Sequence, residues 1–333
     1  MQVIPITIEK KLFPVKKIIE FHGETIAYEV ETFSKDFENS EQGGFFDLSN
    51  WGVIEIAGPD SLDYLQRMST ANVKSLSIGL SASGAFLTGK GTLISVGTFL
   101  LVEANRFLFI VSPNQTENAL THLEMFHFQE KIEIKDRTSE LALIGLWRSK
   151  ENLLKQSWQS SREKNLSYAL LPRDEYGKVI LELHKQGLAF LGMRLFHYFR
   201  IQAGLPWMGW EVGPADLVLE AGLDDFVTRN KGCYPGQEVV ERIFTYGQVN
   251  RKLMRVKIEG QGLESVPQEQ EIKQDDGTVV GTLKSLMANP KLEDPGFGLA
   301  YVRKAFWEST AEYRTDIGLK IKWDPVPGEV PNG

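Results

Sequence analysis

Residues 231-KGCYPGQE-238 contain the single cysteine of the 333-residue chain. Gly232 and Gly236 allow the backbone to turn sharply or to approach another group closely. Lys231, two residues before Cys233, would stabilise the thiolate form and raise its reactivity. The alternative is that Cys233 is a small buried hydrophobic residue. The stretch therefore predicts either a reactive thiol on a loop or a packed turn, and composition alone leaves both open.

The residues that follow predict a helix that begins near Gln237. In 237-QEVVERI-243 the two valines and the isoleucine have the spacing of an inner helical face. Gln237 and Glu238 would then lie in the first turn, where free backbone N–H groups favour an anion or an acid.

Composition narrows the function classes. A net charge of −7 argues against a general nucleic-acid binder, whose surface would be basic. One cysteine excludes an intrachain disulfide, a structural zinc site and a four-thiolate cluster held by this chain alone, and none of the five histidines has a metal-ligand spacing. We therefore predict no metal site. Without a signal peptide or an apolar run of about 18 residues, a cytoplasmic protein with no membrane partner is expected.

The stretch 84-GAFLTGKG-91 fits the front of a phosphate-binding loop, G-x-x-x-x-G-K. The next residue of that motif should be Ser or Thr, but here it is Gly91, and a strand-like TLISV follows instead of a helix. A glycine-rich turn between two strands is the favoured interpretation.

Hydrophobic periodicity gives a coarse assignment of the remaining chain. Strands are predicted over residues 53–57, 93–103, 106–111, 131–134, 141–146 and 179–184. Helices are predicted from Pro59, over 115–127, within the polar segment 149–165, and over 193–204 with Gly204 as C-cap. Beyond residue 250 the strand-like stretches 253–258, 271–285 and 297–302 predict a small all-β domain.

The KGCYPGQE stretch resembles the signature of the YgfZ folate-binding family, which is related to the glycine-cleavage T-protein, an aminomethyltransferase that depends on tetrahydrofolate. Arg242 and 247-GQVNRKL-253 extend the resemblance. Three other stretches agree: 46-FDLSNWGVIEIAGPDSLDYLQ-66, 200-RIQAGLPWMGWE-211, and 281-GTLKS-285 with 298-GLAYVR-303. The resemblance thus runs from about residue 45 to 303.

Two departures separate this chain from the T-proteins. T-proteins carry an aspartate after the glycine-rich turn, whereas Gly89 to Val102 contains no carboxylate here. The glutamate of their R-x-E-A-G element is replaced by Gln202, while the cysteine that they usually lack is present as Cys233. These departures place the chain with the YgfZ-type proteins, which support the making or repair of iron–sulfur proteins.

The resemblance implies an α+β fold with three lobes around a central funnel and a C-terminal β-barrel. It predicts a first, discontinuous α+β lobe over residues 1–45 and 140–250, a ferredoxin-like second lobe over 46–139, and the barrel over 251–333.

A pterin is flat, so its site needs aromatic walls and a carboxylate for its amino-pyrimidine edge. Glu211 matches the family's pterin carboxylate, with Trp207 and Trp210 beside it; otherwise Glu211 would be a surface acid after a turn. The predicted ligand is tetrahydrofolate or a derivative, and the predicted binding residues are Glu211, Trp207, Trp210, Gln202, Arg200, Tyr234, Gln237, Glu238 and Arg242. Cys233 and Lys231 are the predicted catalytic pair.

Three functions follow as hypotheses. The first is a folate-binding accessory factor whose partners are iron–sulfur client or assembly proteins. The second is a true one-carbon transferase, against which the carboxylate-free stretch 89–102 counts. The third is a partner-binding module that binds no folate.

Overall fold

The computed structural model describes residues 5–21, 24–149, 154, 157–247, 249–260, 269–291 and 295–324. These residues belong to two compact units. The first unit consists of Met1–Phe196 and Asp224–Val239, and the second of His197–Leu223 and Val240–Gly333. The first unit is therefore discontinuous in sequence. The lobe boundaries expected from the resemblance stay a prediction.

The helices are α1 Ile6–Glu9, α2 Phe33–Ser40, α3 Ser61–Met68, α4 Thr116–Met125, α5 Arg173–Lys185, α6 Met193–Gln202 and α7 Gln237–Tyr246. The strands before residue 200 are β1 Lys17–Phe21, β2 Glu24–Glu29, β3 Gly44–Leu48, β4 Gly52–Ala57, β5 Ser81–Leu87, β6 Leu93–Glu103, β7 Arg106–Val111, β8 Glu133–Asp136, β9 Leu141–Trp147, β10 Ser157–Gln159, β11 Leu166–Pro172 and β12 Ala189–Phe190. The later strands are β13 Arg251–Glu259, β14 Gln270–Lys273, β15 Val279–Met287, β16 Gly296–Arg303, β17 Tyr313–Thr315 and β18 Lys320–Trp323.

The first unit contains two five-stranded sheets and the hairpin β1–β2. One sheet has the order β10-β11-β9-β3-β12 and the other β5-β6-β7-β4-β8. The pair β12–β3 is parallel, and the other pairs within these sheets are antiparallel. Each sheet buries one apolar face, where Phe86, Phe99 and Phe109 pack in one core and Phe45 and Tyr176 in the other.

The second unit is organised around a closed barrel. Its strands follow the order β13-β16-β15-β14-β17-β18, around a core that includes Val256, Ile272, Leu283 and Val302. The predicted all-β domain beyond residue 250 is thus confirmed. The mixed α+β class with a C-terminal β-barrel is confirmed as well.

Two local predictions were wrong. Residues 179–184 belong to helix α5, not to a strand. Tyr176, Ile180 and Leu183 are buried at helical spacing. The six residues VILELH were too few to distinguish strand alternation from this helical period. The polar segment 149–165 contributes strand β10 with a buried Trp158 where a surface helix was expected; residues 150–153 and 155–156 lie outside the described residues.

Other local predictions are confirmed. Helix α6 ends at Gln202, and Gly204 follows with φ +68°, a conformation that suits glycine. The GAFLTGKG stretch forms strand β5 and the turn into β6, closed by a hydrogen bond from Thr88 N–H to Thr92 O of 2.9 Å. No helix opens there, so the glycine-rich turn is the correct interpretation.

Candidate functional site

Residues 231–236 of the KGCYPGQE stretch form a loop ahead of helix α7, and Gln237 and Glu238 begin the helix. Cys233 is exposed, so the alternative of a buried hydrophobic thiol is wrong. Gly232 has φ +108° and Gly236 has φ +80°, which are conformations that other residues adopt only with strain. A Cβ atom at Gly236 would lie 2.6 Å from Thr88 O and 2.9 Å from Gly91. This loop, residues 231–236, therefore needs glycine where it packs on the β5–β6 turn.

Lys231 begins the loop half-buried. Its Nζ donates a hydrogen bond to the backbone carbonyl of Gln66 and lies 5.2 Å from the centre of the Tyr234 ring. Burial, together with the charge of Lys74, lowers the pKa of Lys231 to about 8. An amine with this pKa is partly neutral near physiological pH. That Lys231 activates Cys233 stays a prediction.

Gln66 and Thr70 hold the segment that leads into the loop, and sequence reasoning missed both. The side-chain amide of Gln66 donates to Lys231 O at 2.7 Å. Thr70 Oγ1 donates to Phe226 O at 2.6 Å, and Thr70 O accepts from Thr228 N–H at 3.0 Å. The only available signal for Gln66 was its place as the last residue of the matched 46–66 pattern.

Helix α7 begins at Gln237, as predicted. Glu238 lies exposed in its first turn, where the helix dipole favours a carboxylate. Tyr234 is buried just before the helix, and its carbonyl accepts from Gln237 N–H at 3.2 Å. Arg242 is exposed on the same helix. Gln248 of the GQVNRKL stretch lies outside the described residues.

In the second unit, Arg200 and Glu211 form a buried ion pair. Arg200 Nη2 donates to Glu211 Oε1 at 2.9 Å, and Arg200 Nη1 donates to Oε2 at 3.0 Å. Both side chains are almost fully buried, with relative exposures of 1% and 0%. Trp207 N–H also donates to Glu211 Oε2 at 2.9 Å. Glu211 is therefore not a surface acid after a turn.

Aromatic rings surround this ion pair. The guanidinium of Arg200 lies 5.2 Å from the ring centre of Trp207 and 4.8 Å from that of Trp210. Arg200 Nε donates to His197 Nδ1 at 2.9 Å, so the proton of the neutral imidazole lies on Nε2. His197 also packs against Trp210 with a centroid distance of 4.4 Å. The sequence indicated for His197 only that it has no metal-ligand spacing.

Four of the predicted pterin residues, Arg200, Trp207, Trp210 and Glu211, thus lie together around one buried charge pair. Gln202 ends the helix that carries Arg200, and its backbone carbonyl accepts from Arg255 Nη1. Trp207 and Trp210 are half-buried, so each keeps surface that a flat ring can cover. A carboxylate offers about four acceptor positions, and Glu211 uses three of them within this cluster. The Glu211 side chain is fully buried, and the two indole rings are nearly perpendicular at 76°, so the cluster offers a flat ring one stacking face and one remaining acceptor.

The hairpin after the glycine-rich turn offers no acid. Strand β6 runs through LISVGTFLLVE, and its first carboxylate is Glu103 at the far end. Ser95, in the part of this strand nearest the turn, is fully buried. Residues 88–102 therefore supply no carboxylate that could act as a general acid or base.

Comparisons with known proteins agree with this architecture. Residues 38–169 match the GCVT N-terminal domain family. A chloroplastic protein of Arabidopsis thaliana that carries a transferase name is 28% identical over 308 residues, which cover 83% of this chain and 69% of that protein. An aminomethyltransferase of Symbiobacterium thermophilum is 26% identical over 300 residues, which cover 79% of each chain.

Among solved structures, the glycine cleavage system aminomethyltransferase T from Bartonella henselae matches with a TM-score of 0.82 and 16% identity. The match covers 96% of this chain and 95% of that one. The chain therefore has the fold of the glycine-cleavage T-protein. The match of residues 38–169 to the GCVT N-terminal domain family agrees with that fold. None of the helices in the described part of the chain combines the length and apolar character that a membrane span requires.

Proposed function

We propose that this protein is a tetrahydrofolate-binding accessory factor that supports the synthesis or repair of iron–sulfur proteins in the cytoplasm. The observation that carries the proposal is the exposed Cys233 on a loop packed against a carboxylate-free hairpin. The thiol of Cys233 is exposed on this loop, and the hairpin lacks the carboxylate that aminomethyltransferase chemistry would use. Its partners would be iron–sulfur client or assembly proteins.

Folate binding is proposed for the cluster around Arg200 and Glu211. The indole rings of Trp207 and Trp210 are nearly perpendicular, at 76° with centroids 5.1 Å apart, so one indole would stack on a face of the pterin and the other would contact its edge. The remaining acceptor of Glu211 would meet an N–H of that edge. Arg200 holds the carboxylate in place through two parallel hydrogen bonds. His197 in turn fixes the plane of the guanidinium. These residues bind and orient the ligand, and none of them needs to change its protonation state.

Cys233 is proposed as the chemically active group. One thiol cannot hold a cluster by itself, but it can be one ligand of a cluster shared with a partner. It can also act as a nucleophile toward a one-carbon unit carried by the folate. Both roles require the exposure that the loop gives it.

A second candidate function is a one-carbon transferase. Relatives named aminomethyltransferase favour it, since their similarity covers most of the chain. The carboxylate-free hairpin argues against the aminomethyl reaction itself. It leaves open a transfer in which Cys233 is the acceptor.

Two measurements test the proposal. Calorimetric titration with tetrahydrofolate should give saturable binding that weakens when Trp210 is changed to Leu but not when Trp307, a half-buried tryptophan of the barrel unit, is changed to Leu. A deletion strain should have lowered activities of iron–sulfur enzymes that the wild-type gene restores and Cys233→Ser does not. Absence of folate binding would leave a partner-binding module, and full restoration by the serine variant would refute the role of the thiol.

A further inference from the structure

Gln66 has an unusual set of contacts for a glutamine at the end of a helix. It is 5% exposed, and its side chain serves three partners. Nε2 donates to Lys231 O at 2.7 Å and to Asn72 Oδ1 at 3.1 Å, while Oε1 accepts from Lys74 N–H at 3.1 Å. The orientation of the amide is therefore fixed from both ends.

Lys231 returns the contact. Its Nζ donates to the backbone carbonyl of Gln66, so each side chain binds the backbone of the other residue. We call this reciprocal pair the 66–231 clasp. It joins positions that are 165 residues apart in sequence.

The clasp fixes one end of the 231–236 loop, and a tight contact fixes the other. Gly236 packs so closely on Thr88 O and Gly91 that a Cβ atom would not fit. Cys233 lies between these two fixed points and is exposed. Gly232, by contrast, has open space around its Cβ position. Cys233 itself is not packed, so its position depends on the two fixed ends of the loop and on the buried Tyr234 beside it.

Stability alone does not account for the clasp. Burial and the nearby Lys74 disfavour the charged form of Lys231, so its ammonium is held there against a desolvation cost. A buried apolar pair at positions 66 and 231 would avoid that cost. Keeping the polar pair makes sense where the position of the loop matters.

We propose that Gln66 is a positioning residue for Cys233, which acts by clasping Lys231 and thereby setting where the loop presents the thiol. The inference rests on the proposed function, in which Cys233 is the active group. Gln66 itself need not contact substrate or partner.

The test uses the full-length protein and four variants. Gln66→Met and Lys231→Met each remove one side of the clasp at similar volume. Lys231→Arg keeps a cationic donor. Gln115→Met is the matched control, because Gln115 is a glutamine of similar burial in the same unit that takes part in none of the loop contacts described above. Two quantities are measured: hydrogen exchange of the amides of residues 231–234 and 236, and the rate of iodoacetamide addition to the sole cysteine from pH 6 to 9.

Both Met variants should speed exchange in the loop about fivefold to tenfold, which corresponds to the loss of one net hydrogen bond. Both should also change the pH profile of alkylation, Lys231→Met by more because it removes the cation near Cys233 as well as the clasp. Lys231→Arg and Gln115→Met should retain wild-type loop exchange. Wild-type exchange and alkylation in Gln66→Met would overturn the proposal, and so would an equal effect in the control.

If Gln66→Met fails to fold, Gln66→Glu replaces it. A glutamate keeps an oxygen for Lys74 N–H but cannot donate to Lys231 O, so wild-type loop exchange in that variant would equally overturn the inference. The two readouts do not depend on biological activity. Full complementation by Cys233→Ser would refute the proposed function of the thiol while the result for the clasp stands separately.

Discussion

At the scale of single residues, the ion pair of Arg200 and Glu211 decides how folate binding can be tested. Changing Glu211 to Ala would leave the guanidinium buried without its partner, at a cost of about 3–5 kcal/mol of stability. Loss of binding in that variant would therefore not distinguish a missing contact from a disturbed fold. Glu211→Gln keeps the size of the side chain and one acceptor for Arg200.

Glu211→Gln should weaken tetrahydrofolate binding by roughly tenfold to a hundredfold. The variant would leave an N–H donor of the bound pterin without its acceptor, which costs about 1–3 kcal/mol of binding free energy. Calorimetric titration measures the change, and a melting curve verifies the fold. Glu220→Gln is the control, since Glu220 is a half-buried carboxylate of the same unit that pairs with Arg251. Unchanged affinity in folded Glu211→Gln would remove this carboxylate from the pterin site.

Cys233→Ser should leave the melting temperature within a few degrees of the wild type. The thiol is exposed, so its replacement removes no core packing. The same exposure predicts that iodoacetamide modifies the native protein to one equivalent without denaturant. Differential scanning fluorimetry and intact mass spectrometry check the two statements; a large drop in melting temperature or labelling only after unfolding would contradict them.

At the scale of elements, helix α2 carries a buried acid with an unusual titration. Burial raises the pKa of Asp36 to about 6, although its oxygens accept from the N–H groups of Val30 and Glu31. Because the folded pKa lies above the ordinary value of 3.8, the resulting stability is fully present below pH 3.8 and is lost as pH rises through 6. Asp36→Asn should remove this fall in the free energy of unfolding, which amounts to about 3 kcal/mol between pH 3.8 and 6. Urea unfolding at several pH values measures it, and parallel profiles would contradict the prediction.

Helix α4 carries a histidine with the opposite dependence. His122 is buried beside Phe86 and Phe126, and burial lowers its pKa from 6.5 to about 4. Its folded pKa is depressed, so the associated stability is present above pH 6.5 and is lost as pH falls through 4. His122→Leu should flatten unfolding free energy between pH 4 and 6.5. Urea unfolding at several pH values measures this. If the free energy of unfolding of His122→Leu falls between pH 6.5 and 4 as steeply as that of the wild type, protonation of His122 is not coupled to unfolding.

The secondary-structure elements show what the sequence could predict. Strands β6 and β7 and helix α6 were predicted nearly to the residue, because their period and their flanking turn residues agree. Residues 179–184 were not, because a short apolar run fits either period and the helix that contains it begins six residues earlier. Hydrophobic periodicity therefore distinguishes a helix from a strand only where the element is long enough for the period to repeat.

At the scale of the whole molecule, the combination of a T-protein fold and a carboxylate-free hairpin predicts no aminomethyltransferase turnover. A missing acid–base group typically lowers a rate by 10²–10⁴-fold. Formation of methylene-tetrahydrofolate, assayed beside a genuine aminomethyltransferase, measures the difference. Comparable rates would mean that another group, such as Asp60, supplies the proton.

The class of fold was predictable from the sequence, but the arrangement within each candidate site was only partly so. The stretch 200–211 suggested that Arg200 and Glu211 act in one site, yet it did not show that they bind each other. The contact between Gln66 and Lys231 had no local signal, since it depends on how distant elements pack. Long-range polar pairs of this kind follow from tertiary structure and not from periodicity.

The interrupted course of the first unit has a consequence for its birth on the ribosome. Helix α3, which carries Gln66, and Thr70 just after it leave the exit tunnel long before Asp224–Val239, which completes the same unit. Since translation adds about 5–20 residues each second, the 154 residues from Thr70 to Asp224 take roughly 8 to 30 seconds. During this time Gln66 and Thr70 lack the partners that they bind in the folded unit. Cys233 therefore reaches its place in the folded unit late in synthesis, and a chain that stalls before residue 224 contains no cysteine.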